Sequence, residues 1–81
     1  MYTLYILKCT DGTLYTGITV DLKRRIEEHN TSKLGSKYTR TRRPVKLVYS
    51  KKCRNRSSAS KQEAHIKGLS RKEKLEWIKK N

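Results

Sequence analysis

Hydrophobic positions gather in two short runs near the start of the chain, Tyr2 to Leu7 and Thr13 to Ile18. Both are rich in aromatic and β-branched residues, which predicts strands, and Asp11-Gly12 between them is a turn signal, so the pair predicts a hairpin. The spacing then becomes helical. From Leu22 to about Asn30, at 100° per residue, Leu22, Ile26 and His29 fall on one stripe with Arg25 at its edge. Lys23, Arg24, Glu27 and Glu28 fall outside that stripe, where solvent is expected, and Asp21 is placed to cap the helix. Thr31 to Arg43 is polar and basic, and predicts a loop with room for one helical turn. Val45 to Tyr49 predicts a third strand, apolar enough to suggest burial on both faces and a central place in the sheet. Lys51 to Arg56 follows as a basic turn. Ser57 or Ser58 opens a helix that runs to about Lys67 and stops at Gly68. Ser70-Arg71-Lys72-Glu73 is a capping box for a last helix, docked by Leu75 and Ile78, with Trp77 partly covering the end of the core.

These elements give an α/β fold: a three-stranded, mostly antiparallel sheet flanked by helices, in the order β-β-α-β-α-α, as one domain over residues 1–81. With 33% hydrophobic residues in 81, the core must be thin. Lysine and arginine number 21 against 7 acidic residues, a formal net charge of +14. A charge of that size points to polyanionic partners, nucleic acid first. No apolar run approaches the roughly 18 residues a membrane span needs, and the start lacks the basic-then-apolar pattern of a signal peptide. Cys9 and Cys53 stand apart with no CxxC or histidine-rich company. That disfavours a zinc site and predicts reduced packing residues in a cytoplasmic protein.

Three positions carry more than packing. Arg25 and His29, four apart, point toward the side where the sheet must lie; on the helix alone, both could simply rim the core. Glu63 lies four after Ala59 and three before Ile66, within the apolar stripe of its helix, where a carboxylate is costly unless a cation compensates it. A salt bridge to one of the many arginines or a divalent metal would each do so. In the basic loop, Lys33, Lys37, Arg40, Arg42 and Arg43 with Tyr38 among them suit a phosphate-backbone surface, joined by Lys23 and Arg24 of the preceding helix. Nothing in this set predicts base-specific reading.

Thr3-Leu4-Tyr5, with Tyr5 ten residues before Tyr15-Thr16-Gly17, and then Asp21-Leu22-Lys23-Arg24-Arg25, resembles the GIY-YIG nuclease domain. The resemblance is to its small stand-alone, YhbQ-like branch, akin to the UvrC N-terminal domain, and it extends over nearly the whole chain. It implies a metal-dependent nuclease acting on DNA ahead of RNA, nonspecific or structure-directed. By that resemblance Tyr5 is the proton acceptor and Tyr15 binds the scissile phosphate or the water, roles that could be exchanged. Arg25 clamps the phosphate, and His29 bonds Tyr5 or serves as the base itself. Glu63 holds a single Mg²⁺ or Mn²⁺. A monomer is expected, with a partner protein as a possible source of targeting. The sequence departs from the pattern at Thr3 and Thr16, where no catalytic group is lost. It departs again downstream of Glu63, where Leu75 and Glu76 stand in the region in which several relatives carry an asparagine. The alternative from another class is a nucleic-acid-binding module, for DNA or RNA, that cleaves slowly or not at all.

A shared tyrosine site sets a condition on the hairpin. A two-residue Asp11-Gly12 loop pairs Lys8 with Tyr15 and puts the two phenols on opposite faces. A three-residue loop, Thr10-Asp11-Gly12 with Gly12 left-handed, pairs Tyr5 with Gly17 and Leu7 with Tyr15, and puts both phenols on one face. The nuclease reading requires the second.

Overall fold

The hairpin takes the three-residue loop. In the computed structural model, which describes residues 1–31 and 37–80, β1 (Tyr2–Lys8) and β2 (Leu14–Thr19) pair antiparallel with Tyr5 opposite Gly17 and Leu7 opposite Tyr15. Gly12 has φ of 84°, the left-handed backbone that glycine adopts without strain. The Asp11 carboxylate accepts from the Thr13 backbone N–H and hydroxyl at 3.0 and 2.6 Å, closing the turn from inside.

The remaining elements are α1 (Leu22–Thr31), α2 (Lys37–Arg40), β3 (Lys46–Cys53), α3 (Arg56–Lys67) and α4 (Arg71–Lys80). The short α2 is the helical turn for which the basic loop left room. The sheet is antiparallel, in the order β2-β1-β3, so the central strand is β1 and not β3. Leu4, Tyr5, Ile6 and Leu7 are each at most 1% exposed, the run a central strand needs, whereas Leu47 and Val48 of β3 are 40% and 38% exposed at the edge. A bulge explains the misleading apolar run. Ile6 faces Tyr49 but Leu7 faces Leu47, which leaves Val48 as the extra residue on the bulged strand. The predicted basic turn also begins too early, because β3 continues through Lys51 and Lys52 to Cys53. Lysines along an exposed edge discourage pairing with another chain.

Two cores result, one on each face of β1. Leu4 and Ile6 pack with Leu14, Cys53, Ala59 and Ile66, covered by α3 and by Trp77 and Ile78 of α4. Tyr5 and Leu7 pack on the other face with Cys9, Val45, Leu22 and Ile26, under α1. Leu75, expected to dock α4, is 41% exposed; Trp77 takes that role with its ring edge-on to Tyr49 at 4.7 Å. The α3 cap is Asn55, whose side chain accepts from the Ser58 N–H at 2.8 Å, so the helix starts earlier than Ser57 or Ser58 would have set it. The Ser70–Glu73 capping box forms in both directions, at 2.9 and 3.2 Å. Both cysteines are buried and free. Among the described residues, no helix is long and apolar enough to cross a membrane.

Candidate active site

β1 carries Tyr5 into the core beneath α1, and β2 makes room for it. The Tyr5 ring lies over Gly17, where a Cβ would fall 2.5 Å from its hydroxyl oxygen and 2.7 Å from its Cζ. Any side chain at position 17 would therefore displace the phenol. α1, capped by Asp21 at the Arg24 N–H (3.2 Å), brings Arg25 and His29 over the same spot. The Tyr5 hydroxyl and His29 Nε2 are 2.9 Å apart, and His29 Nδ1 is 2.8 Å from Thr39 Oγ1 of α2. All three are almost wholly buried. Arg25 also hydrogen-bonds the Tyr5 hydroxyl. Tyr15 stands at the mouth, its ring centroid 6.5 Å from that of Tyr5 and 5.1 Å from the His29 ring, edge-on to the latter. Four of the five expected catalytic residues thus meet on one face of the sheet.

Burial sets the resting protonation of the pair. It pushes the Tyr5 phenol up to about 12, with Tyr15 and the Glu63 carboxylate adding to the rise and the Arg25 hydrogen bond opposing it. Burial also holds the His29 imidazole down to about 4, and the Arg25 charge works in the same direction. At pH 7 both groups are neutral, with the proton on the phenol. Burial works against the Arg25 charge as well, but hydrogen bonds to Glu28 and Tyr5 outweigh it and hold the guanidinium charged.

The fifth residue, Glu63, comes from α3 on the opposite side of the sheet. Its carboxylate is 24% exposed and pairs with Lys67 Nζ at 3.4 Å, one turn along the helix. A salt bridge therefore forms, though to a lysine of the same helix and not to one of the arginines as expected, and the negative charge of the carboxylate still reaches the Tyr5 phenol.

The expected phosphate contacts divide into two groups. Lys23 and Arg24 are exposed on the outer side of α1, Arg24 pairing with Glu28 at 3.1 Å, and Arg40 is exposed on α2. Lys37 opens α2, and Lys33 lies outside the described residues. Arg42 and Arg43 are instead half-buried and tied to the protein. Arg42 donates to Asp11 at 2.9 Å and to the Tyr38 carbonyl at 2.9 Å, and its guanidinium sits 4.0 Å over the Tyr38 ring. Arg43 donates to the His29 and Glu28 carbonyls at the end of α1. Tyr38 stacks on Tyr15 with centroids 5.9 Å apart.

Two functional residues escape the sequence pattern. Glu28, expected in solvent, accepts from Arg25 Nη1 at 2.9 Å and fixes its head. The i, i+3 spacing of the two was the available signal. Thr39, which orients His29, had none, because it lies in a polar segment without periodicity. At the positions of departure, Leu75 and Glu76 are exposed on α4. Thr16 is buried with its hydroxyl unpaired among the described residues.

Residues 1–76 match the family model of the GIY-YIG catalytic domain. A UPF0213 protein of Desulfotalea psychrophila is 58% identical over 76 residues, covering 94% of this chain and 69% of that one. A UPF0213 protein of Syntrophus aciditrophicus is 54% identical over 78 residues, covering 96% and 90%. Two solution NMR structures share the fold. One, of a UPF0213 protein from Bacillus halodurans, has a TM-score of 0.63 at 41% identity, covering 98% of this chain and 84% of that one. The other, of a protein from E. faecalis, has a TM-score of 0.70 at 43% identity, covering 98% and 83%.

Proposed function

The chain belongs to the GIY-YIG family of the nuclease superfamily, and from that premise we propose that it hydrolyses phosphodiester bonds in DNA, with a single divalent ion and little sequence preference. The observation that carries the reading is the buried chain Tyr5–His29–Thr39 with the Arg25 guanidinium bonded to the same phenol. A surface that merely binds backbone phosphates has no use for it.

The residues divide the work as follows. In the tautomer protonated at Nδ1, His29 donates to Thr39 Oγ1 and its Nε2 accepts from the Tyr5 hydroxyl. Tyr5 takes a proton from the attacking water as its own moves to His29, so the buried site never holds an isolated phenolate. Tyr5 and His29 are alike almost wholly buried, and the reading takes Tyr5 as the base with His29 as the group that receives its proton. Arg25, fixed by Glu28 and 27% exposed at its side chain, is the charge clamp for the phosphate. Tyr15, at the mouth, hydrogen-bonds the phosphate or the water.

Glu63 suits a Mg²⁺ or Mn²⁺ ion. It is a hard oxygen donor whose charge already acts on Tyr5, and no group of three or more His, Cys, Asp or Glu among the described residues forms a closed cage. Such an ion takes one or two carboxylates, keeps several waters and shares a phosphate oxygen. The exposed Lys67 partner is easily given up. When bound, the ion supplies charge neutralisation at the phosphate and at the leaving oxygen. The reading takes the protein as a cytoplasmic monomer, consistent with its two free cysteines, with targeting left to a partner protein.

The test is cleavage of labelled single-stranded, double-stranded and branched DNA and of RNA, with Mg²⁺, Mn²⁺ or EDTA. Cleavage should need the metal and fall by about 100-fold or more in both Tyr5→Phe and Glu63→Gln. A second reading, a binding module with little or no catalysis, is favoured by the resting phenol at about 12, which resists giving up its proton. Tight, salt-sensitive binding without cleavage would establish that reading instead.

A further inference from the structure

Beside Tyr38, which stacks on Tyr15, the hairpin turn, α2 and the start of α4 enclose a cleft of about 200 Å³. Thr13 and Leu14 of the hairpin, Tyr38 of α2, and Arg71 and Lys74 of α4 line it. None of the five candidate catalytic residues is among them, so the cleft is separate from the site already described.

Its charged lining is cationic throughout. Arg71 Nε donates to the Gly12 carbonyl at 3.1 Å, which fixes the guanidinium against the hairpin turn. Among the described residues no carboxylate pairs with Arg71 or Lys74. Glu73, which lies between them in sequence, is engaged with the Ser70 backbone N–H at 2.9 Å. Two positive groups, one of them held in place, meet in a concave site with a hydroxyl-bearing wall at Thr13. That arrangement fits a phosphate.

The aromatic wall says which part of a nucleic acid enters. Tyr38 is stacked by Tyr15 and covered by the Arg42 guanidinium, itself tied to Asp11, so it offers an arriving base no vacant platform. The lining therefore selects backbone, not base. The route to the reacting centre is short. Ring spacings of 6.5 Å from Tyr5 to Tyr15 and 5.9 Å from Tyr15 to Tyr38 place the cleft within about four nucleotides of it, at the roughly 3.4 Å rise of one duplex strand.

We propose that this cleft is a flanking-phosphate subsite, in which Arg71 and Lys74 hold the nucleic-acid backbone on one side of the scissile bond. The inference rests on the nucleic-acid reading above and adds to it the side of the molecule along which the strand runs. Contacts of this kind add affinity and register without sequence preference.

The experiment measures anisotropy of a fluorescent oligonucleotide in EDTA across a salt series. It compares the parent with Arg71→Gln/Lys74→Gln and with Lys79→Gln/Lys80→Gln, which removes the same charge at the far end of α4. The cleft variant should weaken binding by about tenfold at low salt and lower the slope of log K against log salt by about 1 to 2. The distal variant should move neither by half as much. In cleavage assays KM should rise in the cleft variant with kcat retained. Because Arg71 also ties the hairpin, Lys74→Gln alone serves as the second test, with a slope change of about 1. Equal effects of the two double variants, or an unchanged slope, would overturn the subsite and leave the nuclease reading standing. A parent that neither binds nor cleaves nucleic acid would overturn both.

Discussion

His29 is where a single side chain links stability to the site. It is buried as a neutral imidazole, with both ring nitrogens engaged, and its pKa is held down to about 4 against an ordinary value of 6.5. The sign of the pH dependence follows. Below 6.5 the unfolded chain binds a proton at this position that the folded chain refuses until about 4, so stability is full above 6.5 and is lost as pH falls toward 4. The loss over that window should approach about 3 kcal/mol. Urea unfolding of the parent between pH 7.5 and 4, compared with His29→Gln, checks it, and the variant should show a much flatter dependence. Equal slopes would mean that water or a carboxylate charges His29 in the folded state. The other histidine, His65, is exposed and is common to both proteins.

At the level of elements, Arg43 joins α1 to the segment leading into β3. Its guanidinium donates to two carbonyls in the last turns of α1, those of Glu28 and His29. Arg43→Ala should therefore lower stability by about 1–2 kcal/mol in thermal unfolding. DNA affinity should fall no more than on removal of one exposed lysine such as Lys23. A large affinity loss at unchanged stability would return Arg43 to the phosphate-contact surface. The same residue shows what could be read from the chain alone. The hairpin, the α1 stripe and the capping box were all legible, because each rests on local rules of spacing, turn chemistry and capping. The hairpin register was not, since the turn residues allow two loops and only the demand for a shared tyrosine site chose between them. The place of β3 was not. A run with four apolar residues in five looks alike whether a strand is central or bulged at an edge, and only pairing with β1 distinguishes the two. Thr39 and the inward use of Arg42 and Arg43 were hidden for a related reason. Their partners lie at long sequence separation or across a turn, and a basic segment reads the same whether its heads meet phosphate or carbonyl oxygen.

For the molecule as a whole, the excess of charge governs. A formal +14 sits on a body of 28 × 28 × 17 Å, so many like charges lie within the roughly 10 Å Debye length of 0.1 M salt. Ion pairs such as Arg24–Glu28 and Lys67–Glu63 have one partner 72% and 53% exposed, and screening them costs little. Salt should therefore act in opposite directions on two observables. The free protein should become more stable from 0.05 to 0.3 M NaCl, because screening relieves self-repulsion. Affinity for DNA should fall steeply over the same range, because each counterion released on binding gains less entropy as the bulk salt rises. Thermal unfolding and anisotropy in matched buffers would read both. Stability that falls with salt would mean that the cations are neutralised within the fold, and the charge would then no longer point to a polyanionic partner. Opposite trends would mean that the fold carries unbalanced charge for which the phosphate backbone supplies the counterions.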